Sequence, residues 1–135
     1  MKVMTKANNW TYRATKGRVG GRLPGGAPIC LLTTTGRKSG KARTVALLYM
    51  LDGDEIVVVA SKGGMPTHPD WYLNVEANPQ VEIELGDDKG RYLAHTANAE
   101  RKAKLWPRLV EMYSSYDDYQ DRTDREIPVV VCTPS

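Results

Sequence analysis

Residues 33–44 read TTTGRKSGKART, a stretch rich in residue types that grip an anion. Arg37, Lys38, Lys41 and Arg43 supply positive charge, and Ser39 and Thr44 supply hydroxyl donors. Gly36 and Gly40 allow a tight turn and a close approach of ligand to backbone. Well-formed charge-assisted contacts contribute roughly 1.5–3 kcal/mol each. The stretch is not a Walker loop, which needs four residues between its glycines and Ser or Thr after its lysine. Here three residues separate Gly36 from Gly40, and Ala42 follows Lys41, so no hydroxyl is placed for magnesium. A solvated hairpin tip has a similar composition, but four bases without a nearby acid favour an anionic partner.

Three further stretches carry chemistry-bearing side chains. VVASKGGMP sets Ser61 and Lys62 at a strand end before Gly63 and Gly64. Backbone N–H groups beside a lysine suit an oxyanion or the electron-rich edge of a heterocycle, although a plain loop reads the same way. Trp71 and Asn74, three apart, share a helix face. They either bracket a flat ring or serve as a core indole and a surface amide. MYSSYDDYQ repeats tyrosine at 113, 116 and 119. On one helix these drift by about 60° per step, and they either wall an aromatic pocket or simply pack. His68 and His95 lie far apart with no Cys or His cluster, so neither a metal site nor a catalytic triad is expected. Chemistry on this chain would then fall to a bound cofactor.

These groups need a frame. The chain of 135 residues is sized for one domain with one core. It has neither a run of 18 apolar residues nor a signal-peptide segment. Cys30 and Cys132 sit in apolar β-like runs and read as reduced, buried thiols of a cytoplasmic protein. Charge is lopsided: residues 1–51 hold ten Lys and Arg and no acid, whereas residues 52–135 hold nine bases against sixteen acids. Residues 1–27 read as a basic, partly disordered arm with a short amphipathic helix around Trp10–Thr15, followed by a single compact domain over 28–135. Strands are expected at PICLLTTT, TVALLYML, EIVVVAS, VEIEL, RYLAHTA and IPVVVCT, with an Asp52-Gly53 hairpin turn and a Gly86–Gly90 turn. DWYLNVEA reads as a helix with Pro69 in its first turn and Thr67 or His68 near its cap. Residues 98–120 read as a longer helix kinked or divided by Pro107. About six mostly antiparallel strands with two to three helices fit a small, partly open barrel of the α+β class.

The combination of LLTTTGRKSGKART, VVASKGGMPTHPDWYLNVEANP and RLVEMYSSYDDYQDRTDREIPVVV, spanning about Pro28 to Pro134, resembles the deazaflavin-dependent nitroreductases. These are split β-barrel reductases that use coenzyme F420, a flat 8-hydroxy-5-deazaflavin carrying a phosphate, a lactyl group and an oligoglutamate tail. The resemblance implies hydride transfer from the reduced ring to activated alkenes, quinones or nitroaromatics. It implies that Arg37, Lys38, Ser39, Arg43 and Thr44 hold the phosphate and tail. Ala46, Leu47 and Leu48 then run along the ring; the family often has proline where Ala46 stands. Val59, Ala60, Ser61 and Lys62 offer backbone to the ring edge, while Asp70, Trp71 and Asn74 flank the cofactor. Tyr113, Tyr116 and Tyr119 resemble substrate-pocket tyrosines. Tyr116 is expected near both ring and substrate, and Ser61 is expected to orient or protonate the acceptor.

FMN on the same barrel is the nearest alternative cofactor. A nucleic-acid-binding barrel is the rival from another class, and no nucleic acid is expected here. Six bases and Trp10 within residues 1–22 allow weak attraction of the arm to the inner membrane surface. An open barrel with exposed sheet faces also admits a homodimer.

Overall fold

The computed structural model describes residues 28–135. The arm over 1–27 and its helix around Trp10–Thr15 lie outside the described residues. Seven strands form one antiparallel sheet: β1 (Ile29–Thr35), β2 (Ala42–Leu48), β3 (Met50–Asp52), β4 (Glu55–Val59), β5 (Gln80–Leu85), β6 (Asp88–Thr96) and β7 (Val129–Pro134). Among the described residues there are three α-helices, α1 (Asp70–Ala77), α2 (Ala99–Met112) and α3 (Ser115–Arg122), and a 3-10 turn spans Lys62–Gly64.

The strand order is β2-β1-β5-β6-β7-β4-β3. β2 and β3 thus stand at opposite ends of the ladder, yet Tyr49 alone separates Leu48 from Met50 in the chain. The two ends are therefore close, and the antiparallel sheet curls into a split barrel with its opening between β2 and β3. The inside is filled by Cys30, Leu32, Ile56, Val58, Val81, Ile83 and Val130, with Trp71, Tyr72 and Val75 of α1 packed among them. A second core lies on the other face of β4 and β7, where Val57, Val59, Val129 and Val131 meet Leu105, Leu109 and Tyr116. The valine run of β7 is unbroken because both of its faces are buried.

Several local expectations shift. TVALLYML is not one strand but two, divided at Tyr49, and that division makes seven strands instead of six. The two residues linking β3 and β4 are Gly53 and Asp54, since Asp52 pairs with Glu55, and Gly53 takes the positive φ of 66°. The turn after β5 is Gly86-Asp87, and β6 begins at Asp88, before Gly90. Pro69 is the N-cap of α1, outside its first turn, and no side chain caps that helix. His68 instead packs at a tilt against Tyr72, with ring centres 4.9 Å apart. Pro107 sits within α2; the helix ends at Tyr113, whose extended backbone (φ −149°, ψ 95°) starts the break before α3. Cys30 and Cys132 are free and buried as expected. Burial raises both thiols well above the ordinary range, that of Cys132 to about 12. No helix among the described residues is long and apolar enough to cross a membrane.

Candidate active site

The β1–β2 turn is closed by its own backbone. Gly36 N–H donates to the Lys41 carbonyl and Gly40 N–H to the Gly36 carbonyl, each at 2.8 Å. Gly40 adopts φ +74°, a conformation that costs glycine little. A Cβ on Gly36 would come within 2.9 Å of Ser39 Oγ and 3.2 Å of the Lys41 carbonyl oxygen. Ser39 Oγ in turn accepts from Lys41 N–H at 3.1 Å and from Arg43 Nη2 at 3.4 Å.

Arg37 ties this turn to α1. Its N–H and Nη1 donate to Asn74 Oδ1 at 3.1 and 2.8 Å, and its Nη2 pairs with Asp70 at 3.3 Å. Asn74 is 4% exposed and passes the connection inward, donating from Nδ2 to Thr34 Oγ1 at 3.2 Å. Arg37 is thereby spent on α1. Among the described residues no carboxylate pairs with Lys38, Lys41 or Arg43, so their charge stays available to an anion.

Between turn and helix lies a cleft of about 300 Å³. Gly36, Arg37, Lys38, Ser39 and Arg43 line one wall, Asp70, Trp71 and Asn74 the other, and Val45 the floor. Thr44 does not reach it; its hydroxyl pairs with that of Thr33 at 2.8 Å across the β1–β2 ladder. Side chains alternate along a strand, so Arg43, Val45 and Leu47 share one face of β2 while Thr44, Ala46 and Leu48 share the other. Val45 and Leu47 pack toward the barrel interior, whereas Leu48 packs against the second core with the tyrosines. Val45 was missed from the sequence. Counting by twos from Arg43 would have found it.

At the end of β4, Val59 and Ala60 are buried. Ser61 is right-handed, with φ −79° and ψ −39°, and Lys62, Gly63 and Gly64 follow at φ 47°, 62° and 79°. Such a sequence of backbone hands forms a nest whose N–H groups converge on an electron-rich atom. Lys62 Nζ is held by Thr67 Oγ1 at 3.0 Å. A Cβ on Gly64 would strike the Tyr119 carbonyl oxygen at 2.7 Å, so glycine allows this turn to lie against α3. Arg125, which sequence reasoning passed over, donates to backbone carbonyls of this segment. These contacts cross 60 to 65 residues of chain, and no local pattern announces them.

The three tyrosines converge because the helix breaks between them. Tyr113 caps α2, and Tyr116 and Tyr119 belong to α3. Ring centres lie 5.1 Å apart for Tyr113–Tyr116 and 6.4 Å for Tyr116–Tyr119, and the hydroxyls of Tyr113 and Tyr119 are 3.1 Å apart. Tyr116 is 4% exposed; burial, then its two tyrosine neighbours, raises its phenol pKa well above the ordinary value. It therefore keeps its proton and is suited to donate a hydrogen bond.

A family model described as F420H(2)-dependent quinone reductase matches residues 4–134. The chain is similar to an F420H(2)-dependent quinone reductase of Mycobacterium tuberculosis, 46% identical over 125 residues, covering 90% of this chain and 84% of that one. A solved F420-H2 dependent reductase, FDR-A, is 45% identical with a TM-score of 0.72, covering 78% of this chain and 93% of that one. A solved structure described as a domain-swapped dimer is 45% identical with a TM-score of 0.73, covering 78% and 79% of the two chains.

Proposed function

The chain belongs to the F420H2-dependent quinone reductase family, and on that premise we propose that it passes reducing equivalents from reduced coenzyme F420 to a flat, electron-poor acceptor of the quinone class. The observation that carries this reading is the cleft between the basic turn and α1, where uncommitted cations stand beside an apolar floor and an indole. A polyanionic tail attached to a flat ring fits that donor set: Lys38 and Arg43 suit the phosphate and glutamyl carboxylates, and Val45 and Trp71 suit an apolar surface.

When bound, the reduced deazaflavin supplies a hydride from carbon 5. The protein's own residues do the rest by binding and orientation. Ser39 keeps Arg43 at the turn, and Arg37 with Asn74 seats the turn on α1. Ala46, Leu47 and Leu48 run along the seam of the barrel, and the nest at Ser61–Gly63 presents N–H groups to an electron-rich ring edge. Tyr113, Tyr116 and Tyr119 form the acceptor's wall, with Tyr116 donating to an acceptor oxygen. The Ser61 hydroxyl, on the first residue of the nest, orients that acceptor or relays a proton to it. Activated alkenes and nitroaromatics share the flat, electron-poor character of quinones and belong in the same acceptor panel.

Fluorescence titration tests the cofactor assignment. The protein should bind F420 far more tightly than FMN, and equal affinities would sink the deazaflavin reading. Replacing Lys38 and Arg43 together by alanine should weaken F420 binding by about tenfold or more at low salt, and by less at high salt. An unchanged dissociation constant would remove these residues from the tail site. Stopped-flow oxidation of F420H2 against quinones, enones and nitroaromatics then identifies the acceptor class.

The 45%-identical domain-swapped relative also supports a homodimer in solution. Sedimentation velocity checks this, with a single-chain mass as the refuting result. A cytoplasmic location remains the functional setting of choice. Surface attraction of residues 1–22 to anionic lipid is tested by liposome co-sedimentation with and without residues 1–27.

A further inference from the structure

The β4–β7 ladder ends at the pair Val59–Val129, with one more backbone bond from Ala60 N–H to the Pro128 carbonyl at 3.0 Å. Beyond that point no strand among the described residues pairs with the chain, and yet the segment runs directly into three consecutive left-handed residues. Lys62 at φ 47° is costly there for a side-chain-bearing residue. Something other than the sheet must hold this segment. The Arg125 guanidinium does so, continuing the ladder as a side chain. Its Nη1 donates to the Ala60 carbonyl at 3.1 Å, its Nη2 to the Ser61 carbonyl at 2.6 Å and its Nε to the Met65 carbonyl at 2.8 Å. His68 Nδ1 lies 3.1 Å from Nη1. Burial, then the Arg125 charge, lowers the His68 pKa, which keeps its ring neutral and able to accept.

Arg125 is itself anchored to the tyrosine helix. Gln120 of α3 donates from Nε2 to the Arg125 carbonyl at 2.8 Å and accepts from Ile127 N–H at 3.0 Å. One side chain therefore joins the backbone nest at Ser61–Gly63 to the helix that carries Tyr116 and Tyr119.

We propose that Arg125 is a positioning residue that fixes the Ala60–Met65 segment, and with it the spacing between the cofactor edge and the tyrosine wall. With the Ala60, Ser61 and Met65 carbonyls held by Arg125, and the N–H groups of Ala60, Gly64 and Met65 bonded within the protein, those of Ser61, Lys62 and Gly63 are left to face a ligand. This role rests on the reading that the segment meets the deazaflavin ring. A planar fork spans three carbonyls, whereas the single ammonium of lysine cannot reach all of them.

The test uses the full chain and the variants Arg125→Ala and Arg125→Lys. Amide exchange of the cofactor-free protein should accelerate in peptides covering 60–66 and stay unchanged in α2 and β5. Both variants should bind F420 about tenfold or more weakly, because misplacement on the ångström scale is costly to a preorganised site. Turnover at saturating F420 should also fall, since the ring and the acceptor wall no longer keep their spacing. Millimolar methylguanidinium should restore binding in Arg125→Ala and not in Arg125→Lys, where the lysine stem still occupies the space. Exchange that rises uniformly along the chain, or wild-type F420 affinity in both variants, would overturn the proposal. Wild-type protein that binds F420 while the variants bind equally well sinks this role alone. Wild-type protein that fails to bind F420 sinks the functional reading and this role with it.

Discussion

Asn74 shows how one side chain can line a cleft and also hold its two walls together. Its amide takes two donors from Arg37 and gives one to Thr34 in a place almost free of solvent. Asn74→Ala should cost about 1–3 kcal/mol, because the buried Thr34 hydroxyl and the Arg37 N–H lose their partner. Thermal unfolding reads that loss. F420 affinity should fall with it, because the basic turn loses its seat on α1; a destabilised variant with intact affinity would show that the turn holds its shape alone. Tyr116 invites the opposite expectation. Its ring fills the second core while its hydroxyl is the part with chemistry to offer. Tyr116→Phe keeps the packing, so turnover should drop more than F420 affinity when stopped-flow rates are compared with titrations. The reverse split would move Tyr116 into the cofactor's own shell.

At the scale of elements, α2 is docked by ions as well as by its leucines. Arg101 reaches Asp52 at 2.9 Å and Glu55 at 2.7 Å, Arg108 reaches Asp52 at 3.1 Å, and Thr133 donates to Glu55 at 2.8 Å. Hydrogen bonds from Arg108 and then Arg101 hold the Asp52 carboxyl below its ordinary range, and those from Arg101 and then Thr133 do the same for Glu55. Carboxyls lowered in the folded state leave the unfolded chain binding more protons as pH falls. Their stabilisation is complete above the ordinary carboxylate range and is lost as pH drops through the lowered values. Arg101→Leu should therefore cost about 1 kcal/mol near pH 7, given the partial exposure of the pair. Its stability deficit against wild type should close as denaturation is followed into acid below the carboxylate range; a constant deficit would assign the loss to packing. The same elements show what a sequence displays. Period-two alternation and valine runs revealed the strands, and the Asn78-Pro79 stop revealed the end of α1. The break at Tyr113 escaped notice because Pro107 offered a stronger local signal, while the real break follows from where Leu109 and Tyr116 are buried. The cleft was readable as residue types, and Val45 by alternation from Arg43; Arg125 was not, since carbonyl capping is settled by tertiary placement.

Over the whole molecule, the sheet closes because β2 and β3 are one residue apart in the chain and a full ladder apart in the sheet. That closure brings the basic β1–β2 turn, α1 and the tyrosine helix onto a single barrel, although they are dispersed along the sequence. It also gives the molecule an electrical direction. Every acid lies at or beyond Asp52, whereas Lys38, Lys41 and Arg43 crown the turn before it. A net charge of only +3 would steer an anion weakly if it were spread evenly. Concentrated at the mouth of the cleft, the same charges should draw a polyanionic tail toward the turn before the ring finds its place. The association rate for F420 should therefore fall about tenfold between low salt and several times the physiological ionic strength, as the screening length shrinks toward contact distance. The dissociation rate should change much less, because the proposed contacts of the ring with Trp71 and Val45 are apolar, and salt scarcely screens such contacts. Lys38→Gln should flatten the salt dependence of association, whereas Lys104→Gln, on α2, should leave it alone. Equal slopes for the two variants in stopped-flow fluorescence would show that net charge, and not its placement on the turn, guides the cofactor in.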